Sequence, residues 1–306
     1  MKLVFAGTPE FARASLEALV ASGRTPIAVY TQPDRPAGRG KKLTSSPVKR
    51  YALEHGIRVF QPETLRDDAA IEELRALQPD LLVVAAYGLI LPQAVLDIPT
   101  HGCVNVHASI LPRWRGAAPI QAAILAGDSK TGISLMRMTA GLDCGPVFHI
   151  ADITIGHEET AGELHDRLAT LGASALVEQL DDIVTGRLEA VDQDDSLATY
   201  APKIDKQDAE IDWDLTAAEI AQRVRAYNPF PGAFTHDRDT RLKIWRATPA
   251  DGSGEPGEVL RFDRDAIVVA CGDGALSLDE LQLPGKRRAP AREFAGQTDL
   301  SGRRLG

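Results

Sequence analysis

Apolar residues in the first half of this chain form short continuous runs that alternate with helically spaced positions. Each run has the length of a buried strand, and the runs span residues 2–7, 26–30, 81–86, 103–107 and 133–138. Between them the spacing predicts helices, for example at residues 67–77, 91–96 and 117–125. This alternation predicts an α/β fold with a doubly wound, mostly parallel sheet.

The first predicted helix begins with a recognisable start signal. Thr8 supplies an N-cap hydroxyl, Pro9 suits the first helical position, and Glu10 places an acid in the first turn. We therefore expect Thr8 to cap a helix that follows the first strand directly.

The pattern changes after residue 185. A long amphipathic helix carries Leu164, Leu168 and Leu180 on one side, and residues 186–205 then have few large apolar side chains and are interpreted as a linker. A helix near residues 216–226 follows, and after it short alternating runs at 242–245, 259–262, 267–270 and 276–281 predict a small β domain.

Composition and charge narrow the class of protein. Hydrophobic residues make up 44% of the 306 residues and charged residues 25%, which is typical of a globular protein. No apolar run approaches the roughly 20 residues of a membrane span, so a helical membrane protein is excluded. The three cysteines contain no C-x-x-C pair, which argues against a disulfide framework or a zinc site and favours the cytoplasm.

The net charge of −9 argues against a protein that coats nucleic acid, although local basic patches can still bind phosphate. Residues 31–44 form such a patch, a glycine- and proline-rich loop in which Arg39, Lys41 and Lys42 stand close together. Lys286-Arg287-Arg288 is a second possible phosphate contact, with a solvated turn as the alternative. Arg113-Trp114-Arg115 combines charge with an aromatic stacking surface, with a purely structural tryptophan as the alternative.

The strand at residues 103–107 carries the strongest chemical signal. Side chains alternate along a strand, so Asn105 and His107 share one face at its carboxyl end, where open α/β sheets bind ligands. An amide can donate to a developing oxyanion and an imidazole can accept a proton, a combination that suits acyl transfer. The alternative is structural: Asn105 satisfies loop backbone and His107 is a buried, hydrogen-bonded histidine.

A second segment places one acid in a glycine-bracketed turn after a strand. Asp143 lies between Gly141 and Gly145, and such a turn can bring a carboxylate into a crevice. A carboxylate that reaches His107 would orient the ring and favour its protonated form. The alternative is that Asp143 caps its own turn.

Together these residues resemble the methionyl-tRNA formyltransferase family over nearly the whole chain. The resemblance rests on a co-linear set of stretches, with Ile110 and Cys144 standing where the family commonly has Leu and Thr. The stretches are V-F-A-G-T-P-E-F-A, T-Q-P-D-R-P-A-G-R-G-K-K-L, A-Y-G-L-I-L-P, V-N-V-H-A-S-I-L-P-R-W-R-G-A-A-P-I-Q, G-L-D-C-G-P and N-P-F-P-G-A-F-T.

The resemblance implies a Rossmann-like formyltransferase domain at residues 1–189, a linker at 190–206 and a smaller OB-like β-barrel domain that binds tRNA at 207–306. It implies transfer of a formyl group from 10-formyltetrahydrofolate to the α-amine of methionine on initiator tRNA. It also implies roles for individual residues: catalysis by Asn105, His107 and Asp143; folate binding by Ser109, Ile110, Leu111, Pro112, Tyr87 and Gly88; tRNA binding by Arg39, Lys41 and Lys42.

Two other functions share part of this pattern. Another formyltransferase that uses 10-formyltetrahydrofolate could act on a small amine, such as a purine precursor or an amino sugar, although the basic loop and extra domain weigh against it. A non-catalytic RNA-binding protein would keep the basic patches but not need the N-x-H and L-D-x-G pieces. We expect a cytoplasmic monomer that needs no metal and contacts no membrane.

Overall fold

The computed structural model describes residues 1–37, 40 and 42–306, which form two units. The first unit comprises Met1–Pro119, Lys130–Thr154 and His165–Ala201, and the second comprises Ile120–Ser129, Ile155–Leu164 and Pro202–Gly306. The domain limits that the sequence predicts, 1–189, 190–206 and 207–306, stay a prediction.

The strands and helices are numbered in chain order. The strands are β1 (Leu3–Gly7), β2 (Ala28–Tyr30), β3 (Arg35–Ala37), β4 (Lys42–Thr44), β5 (Arg58–Phe60), β6 (Leu81–Ala85), β7 (Cys103–His107), β8 (Arg115–Gly116), β9 (Lys130–Arg137), β10 (Val147–Thr154), β11 (Tyr200–Ala201), β12 (Phe234–Asp237), β13 (Thr240–Ala250), β14 (Val259–Phe262), β15 (Ile267–Ala270), β16 (Ala275–Gln282) and β17 (Ala289–Pro290). The helices are α1 (Glu10–Ala21), α2 (Pro47–Glu54), α3 (Asp68–Leu77), α4 (Gln93–Leu96), α5 (Pro119–Leu125), α6 (Ala161–Val184), α7 (Ala217–Ala226) and α8 (Ala291–Phe294).

The first unit is built on a seven-stranded sheet with the order β10-β9-β7-β6-β1-β2-β5. Strands β7, β6, β1, β2 and β5 are mutually parallel, whereas β9 runs antiparallel to its neighbours β7 and β10. Every residue of β1 and β6 is buried, as expected for central strands covered on both faces. The predicted mostly parallel sheet is therefore confirmed.

Helix α6 packs against the face of β7 opposite to Asn105 and His107. Its Gly172 approaches the strand so closely that an added Cβ would lie 2.9 Å from Val106 Cγ1 and 3.3 Å from Ile133 Cδ1. Glycine is therefore required here by the close approach of the helix, despite its low helix propensity. This contact fixes the distance between α6 and β7.

The second unit contains an antiparallel sheet with the order β12-β13-β16-β15-β14, to which β17 adds beside β16. The sheet curls into a half-barrel around a core that includes Ile244, Ile267 and Leu278. Helix α7 begins with a reciprocal capping box in which Thr216 and Glu219 satisfy each other's backbone N–H groups. The predicted small, OB-like β domain is thus confirmed as a fold.

Two expectations about elements were wrong. Helix α1 begins at Glu10, Pro9 occupies the N-cap position without a side-chain cap, and the Thr8 hydroxyl donates to Tyr87 O at 2.9 Å instead. A distant carbonyl thus competes successfully for the predicted capping group. The stretch 31–44 contains the two strands β3 and β4, which pair as an antiparallel hairpin rather than forming only a loop.

Gly172→Val should lower the free energy of unfolding by about 1–3 kcal/mol, because the added methyl groups overlap Val106 and Ile133. Ser174→Val, on the exposed side of α6, is the matched control and should change stability by about 0.5 kcal/mol or less. Urea unfolding of both variants measures the difference. Equal stability of the two variants would contradict the close packing of α6 on β7.

Candidate active site

Strand β7 brings Asn105 and His107 to the carboxyl end of the parallel sheet. Asn105 pairs with Val84 of β6 on one side and with Met136 of β9 on the other, and His107 lies opposite Ser134. Val104 and Val106 alternate with them and are buried. Asn105 and His107 therefore lie on the same face of the sheet, as the sequence predicted.

The loop between β9 and β10 carries Asp143 to the same place. Asn105 Nδ2 donates to Asp143 Oδ1 at 3.4 Å, and the backbone N–H of Gly116 donates to Asp143 Oδ2 at 2.9 Å. His107 Nδ1 lies 3.7 Å from the same Oδ2 atom. The structure therefore brings together the three side chains that the sequence singled out for catalysis.

The hydrogen bonding of His107 assigns its two ring nitrogens. Nε2 lies 3.0 Å from Trp114 O, and because a carbonyl oxygen only accepts, Nε2 carries the proton. Nδ1 is then the nitrogen that can accept a proton, and it faces Asp143. The ring is 6% exposed, so its orientation is fixed by packing as well.

Unusual backbone conformations occur beside this cluster. Ala86, Trp114 and Asp143 all have positive φ angles, of +42°, +63° and +47°. For residues other than glycine this region is disfavoured, and such strain persists only where surrounding contacts hold it. The loops that carry the Trp114 carbonyl and the Asp143 carboxylate are therefore held in place by other parts of the first unit.

The residues predicted to bind folate differ in burial and in hydrogen bonding. Ser109 and Leu111 are buried: the Ser109 hydroxyl donates to Arg113 O at 2.6 Å, while Ser134 Oγ donates to Ser109 O at 2.7 Å and accepts from Leu111 N at 3.0 Å. Ile110 and Pro112 are half-buried. Ser134 thus fixes the shape of the stretch 109–112.

Tyr87 and Gly88 follow β6, the strand that pairs with β7. The Tyr87 side chain is buried, and its carbonyl accepts from both Thr8 Oγ1 and Gln32 Nε2. Gly88 has φ +82°, a conformation that favours glycine, and a Cβ there would require the Gln32 side chain to shift. These two residues therefore shape the loop between β6 and α4, on which Ile90 is exposed.

Of the residues predicted to bind tRNA, the structure describes Lys42, which is exposed on β4, while Arg39 and Lys41 lie outside the described residues. Asp34 anchors the base of the hairpin: its carboxylate accepts from Lys49 Nζ at 2.8 Å and from Gln61 Nε2 at 2.9 Å. These hydrogen bonds lower the pKa of Asp34 below its usual value.

The sequence did not predict which residues hold the loops around Asn105, His107 and Asp143 in place. Gln193 and Thr199 lie in the stretch interpreted as a linker, yet both bond to the loops described above. Arg115, interpreted as part of a charged stacking surface, is 3% exposed, and its guanidinium bonds to Gln193 and Asp195. No local pattern identifies such contacts, because their partners are 50 to 85 residues away in the chain.

Burial makes Cys103, at the start of β7, a poor candidate for a reactive thiol. Burial raises the pKa of the Cys103 thiol to about 12, which disfavours a reactive thiolate there. Among the described residues, no group of three or more His, Cys, Asp or Glu side chains is arranged to hold a metal ion. Within the same part of the chain, no helix has both the length and the apolar character of a membrane crossing.

Comparison with known proteins gives relatives of high identity. The formyl transferase family model matches residues 1–180, and the model of the formyl transferase C-terminal domain matches residues 203–298. A methionyl-tRNA formyltransferase from Aromatoleum aromaticum is 57% identical over 294 residues, or 96% of this chain and 93% of the relative. A methionyl-tRNA formyltransferase from Methylococcus capsulatus is 53% identical over 308 residues, which cover 100% of both chains.

Among solved structures, HypX from Aquifex aeolicus in complex with tetrahydrofolic acid superposes with a TM-score of 0.66 at 18% identity. The match covers 97% of this chain, which spans about half of HypX, 47% of its length. At this level of identity the likeness concerns the fold alone.

Ser134→Ala should lower the free energy of unfolding by about 1–3 kcal/mol, because it leaves Leu111 N and Ser109 O buried without their partner. Ser129→Ala, at an exposed position, is the matched control. Urea unfolding compares the two. A loss for Ser134→Ala no larger than that of the control would show that Ser134 does not fix the stretch 109–112.

Proposed function

The chain belongs to the methionyl-tRNA formyltransferase family, and on that basis we propose that it transfers the formyl group of 10-formyltetrahydrofolate to the α-amine of methionine on initiator tRNA. It is a formyl-transferring enzyme, and a folate serves as its formyl donor. The observation that carries the catalytic assignment is the convergence of Asn105, His107 and Asp143 at the end of β7.

Asn105 is assigned the role of stabilising the oxygen of the formyl group. When the amine attacks the formyl carbon, negative charge develops on that oxygen, and a fixed N–H donor in a partly buried site stabilises it. The Asn105 amide is already oriented by Asp143 Oδ1, so little reorganisation is needed at the moment of reaction. A new C–N bond to the methionine forms while the bond to the folate nitrogen breaks.

His107 and Asp143 manage the proton that the attacking amine loses. His107 Nδ1 carries the free lone pair and can accept this proton before it passes to the departing folate nitrogen. Asp143 Oδ2 lies 3.7 Å from Nδ1 and places a negative charge beside the ring while it carries this proton. The Gly116 N–H holds the same oxygen, so the carboxylate stays oriented toward the ring.

The folate is assigned to the surface beside this cluster. Two loops that adjoin the catalytic residues expose large apolar side chains, Ile90 at 67% and Leu142 at 61%. Such surfaces suit the flat ring system of a folate, which supplies the formyl carbon when bound. Ile110 and Pro112 are half-buried and can add contact area, whereas Ser109, Leu111, Tyr87 and Gly88 shape the surrounding loops.

Two basic regions are assigned to the tRNA. The first contains strands β3 and β4, and Arg39, Lys41 and Lys42 are its proposed phosphate contacts. The second lies in the C-terminal unit, where Arg288 stacks 3.5 Å from the Trp245 ring and Lys243 lies 4.9 Å from it.

Electrostatics within this second region favours an anionic ligand. Burial lowers the pKa of Lys243, and the neighbouring cations Arg241, Arg288 and Lys206 lower it further. Cations this close repel each other, and a phosphate group would relieve the repulsion. We accordingly assign residues 1–189 to catalysis and residues 207–306 to tRNA binding.

The alternative acceptor, a small amine on a purine precursor or amino sugar, is not favoured. Relatives at 53–57% identity over nearly the whole chain are named methionyl-tRNA formyltransferase. Because the proposed acceptor takes part in translation, we expect the enzyme to act in the cytoplasm. A monomer is the state that membership of the family leads us to expect.

Asn105→Ala should lower kcat for formyl transfer to methionyl-tRNA by about 10²–10³-fold, because the oxyanion loses a fixed donor. The Kd for the folate should change by less than about threefold, since the amide acts on the charge that develops during transfer. The exposed Gln93→Ala is the control. Unchanged turnover with unchanged folate affinity would remove Asn105 from the mechanism.

Arg39→Ala and Lys42→Ala should each raise the KM for tRNA and flatten its dependence on salt, with a slope of log KM against log salt reduced by about 1 per phosphate contact. The measurement is a set of steady-state assays between low and high salt. Lys130→Ala, at an exposed position, serves as the matched change of charge. Identical salt slopes for all three variants and the unmodified enzyme would rule out a role for the hairpin in tRNA binding.

A further inference from the structure

The side chain of Gln193 connects two loops of the candidate active site. Its amide oxygen accepts from Arg115 Nε at 3.1 Å and from Arg115 Nη2 at 2.9 Å. Its amide nitrogen donates to Asp143 O at 2.8 Å and to Gly145 O at 2.7 Å. Two acceptor and two donor positions are thus used, which is the full capacity of an amide side chain.

Each of the two loops holds one part of the proton-transfer machinery. The loop with Arg115 also contains the Trp114 carbonyl, to which His107 Nε2 donates. The loop with Gly145 contains Asp143 itself. Gln193 therefore joins the element that orients the imidazole to the element that carries its carboxylate partner.

The guanidinium of Arg115 is a fixed anchor for this connection. It is buried, and its charge is balanced by Asp195, whose Oδ1 accepts from Arg115 Nη2 at 2.7 Å. A buried arginine with a planar set of donors and an ionic partner has little freedom to move. The guanidinium therefore holds the amide of Gln193 in one orientation.

Backbone contacts from the same stretch of chain reinforce the first loop. Thr199 Oγ1 accepts from Trp114 N at 2.9 Å, and Arg115 N donates to Thr199 O at 2.9 Å. These two hydrogen bonds fix the peptide groups before and after Trp114. The second of these groups contains the carbonyl that accepts from His107 Nε2. Residues 193–201 therefore hold the loops around the site in place and do more than link two parts of the chain.

We propose that Gln193 is a positioning residue for formyl transfer, which sets the distance between Asp143 and His107 by holding the Asp143 loop against Arg115. The proposal rests on the proposed function, because it assumes that Asp143 supports proton transfer at His107. Asp143 has φ +47°, a disfavoured conformation, and the two hydrogen bonds to the carbonyls of Asp143 and Gly145 help to maintain it.

A single substitution can test why glutamine is needed at position 193. A glutamate side chain has the same size and could still accept from Arg115, but its carboxylate has no N–H to donate to the carbonyls of Asp143 and Gly145. It would also place negative charge against two carbonyl oxygens. Gln193→Glu therefore releases the Asp143 loop selectively, while the bond to Arg115 remains.

The test compares Gln193→Glu, Gln193→Ala and the exposed neighbour Asp192→Asn as control. Both Gln193 variants should lower kcat for transfer to methionyl-tRNA by about 10–100-fold, with KM for folate and tRNA within about threefold. Hydrogen exchange followed by mass spectrometry should show faster exchange in the segment 139–147, with β1 and β6 unchanged. Asp192→Asn should match the unmodified enzyme in both measurements.

The outcomes separate the two proposals. Unchanged kcat, or unchanged exchange at 139–147, in Gln193→Glu would overturn the role of Gln193. Exchange that rises equally in β1 and β6 would also overturn it, since Gln193 would then serve general stability. If the unmodified enzyme transfers no formyl group to methionyl-tRNA, the proposed function fails, whereas selective exchange at 139–147 would still support the physical connection.

Discussion

The arrangement of the site depends on one carboxylate that is held from several directions. Asp143 accepts from the Asn105 amide through Oδ1 and from the Gly116 N–H through Oδ2, and Oδ2 also faces His107 Nδ1. These contacts require the end of β7 and two separate loops to meet within hydrogen-bonding distance. This arrangement depends on the register of the sheet, on the packing of α6 against β7 and on the strained backbone conformation of Asp143.

Local patterns in the sequence predicted much of this framework. The strict alternation in Cys103-Val104-Asn105-Val106-His107 placed Asn105 and His107 on one face, and the strand has those same limits in the structure. Glycines around Asp143 indicated a turn that could approach them. The family resemblance, carried by motifs spread along the chain, supplied the reaction, and the relatives of high identity agree with it.

Contacts between distant segments could not be predicted in this way. The Thr8 hydroxyl has a local use as a helix cap, but Tyr87 O, 79 residues later, takes its hydrogen bond. Gln193 lies in a stretch whose few large apolar residues indicate a linker, and its partners Asp143 and Arg115 are 50 and 78 residues away. Arg115 likewise has the pattern of a surface charge in the sequence, and only the fold places Gln193 and Asp195 around it.

The most direct test of the central claim measures transfer of labelled formyl from 10-formyltetrahydrofolate to three acceptors: initiator methionyl-tRNA, elongator methionyl-tRNA and free methionine. Membership of the methionyl-tRNA formyltransferase family leads us to expect transfer to the initiator methionyl-tRNA, with much lower rates for the other two. Folate binding accompanied by transfer to a small amine, such as an amino sugar, and by none to methionyl-tRNA would contradict it.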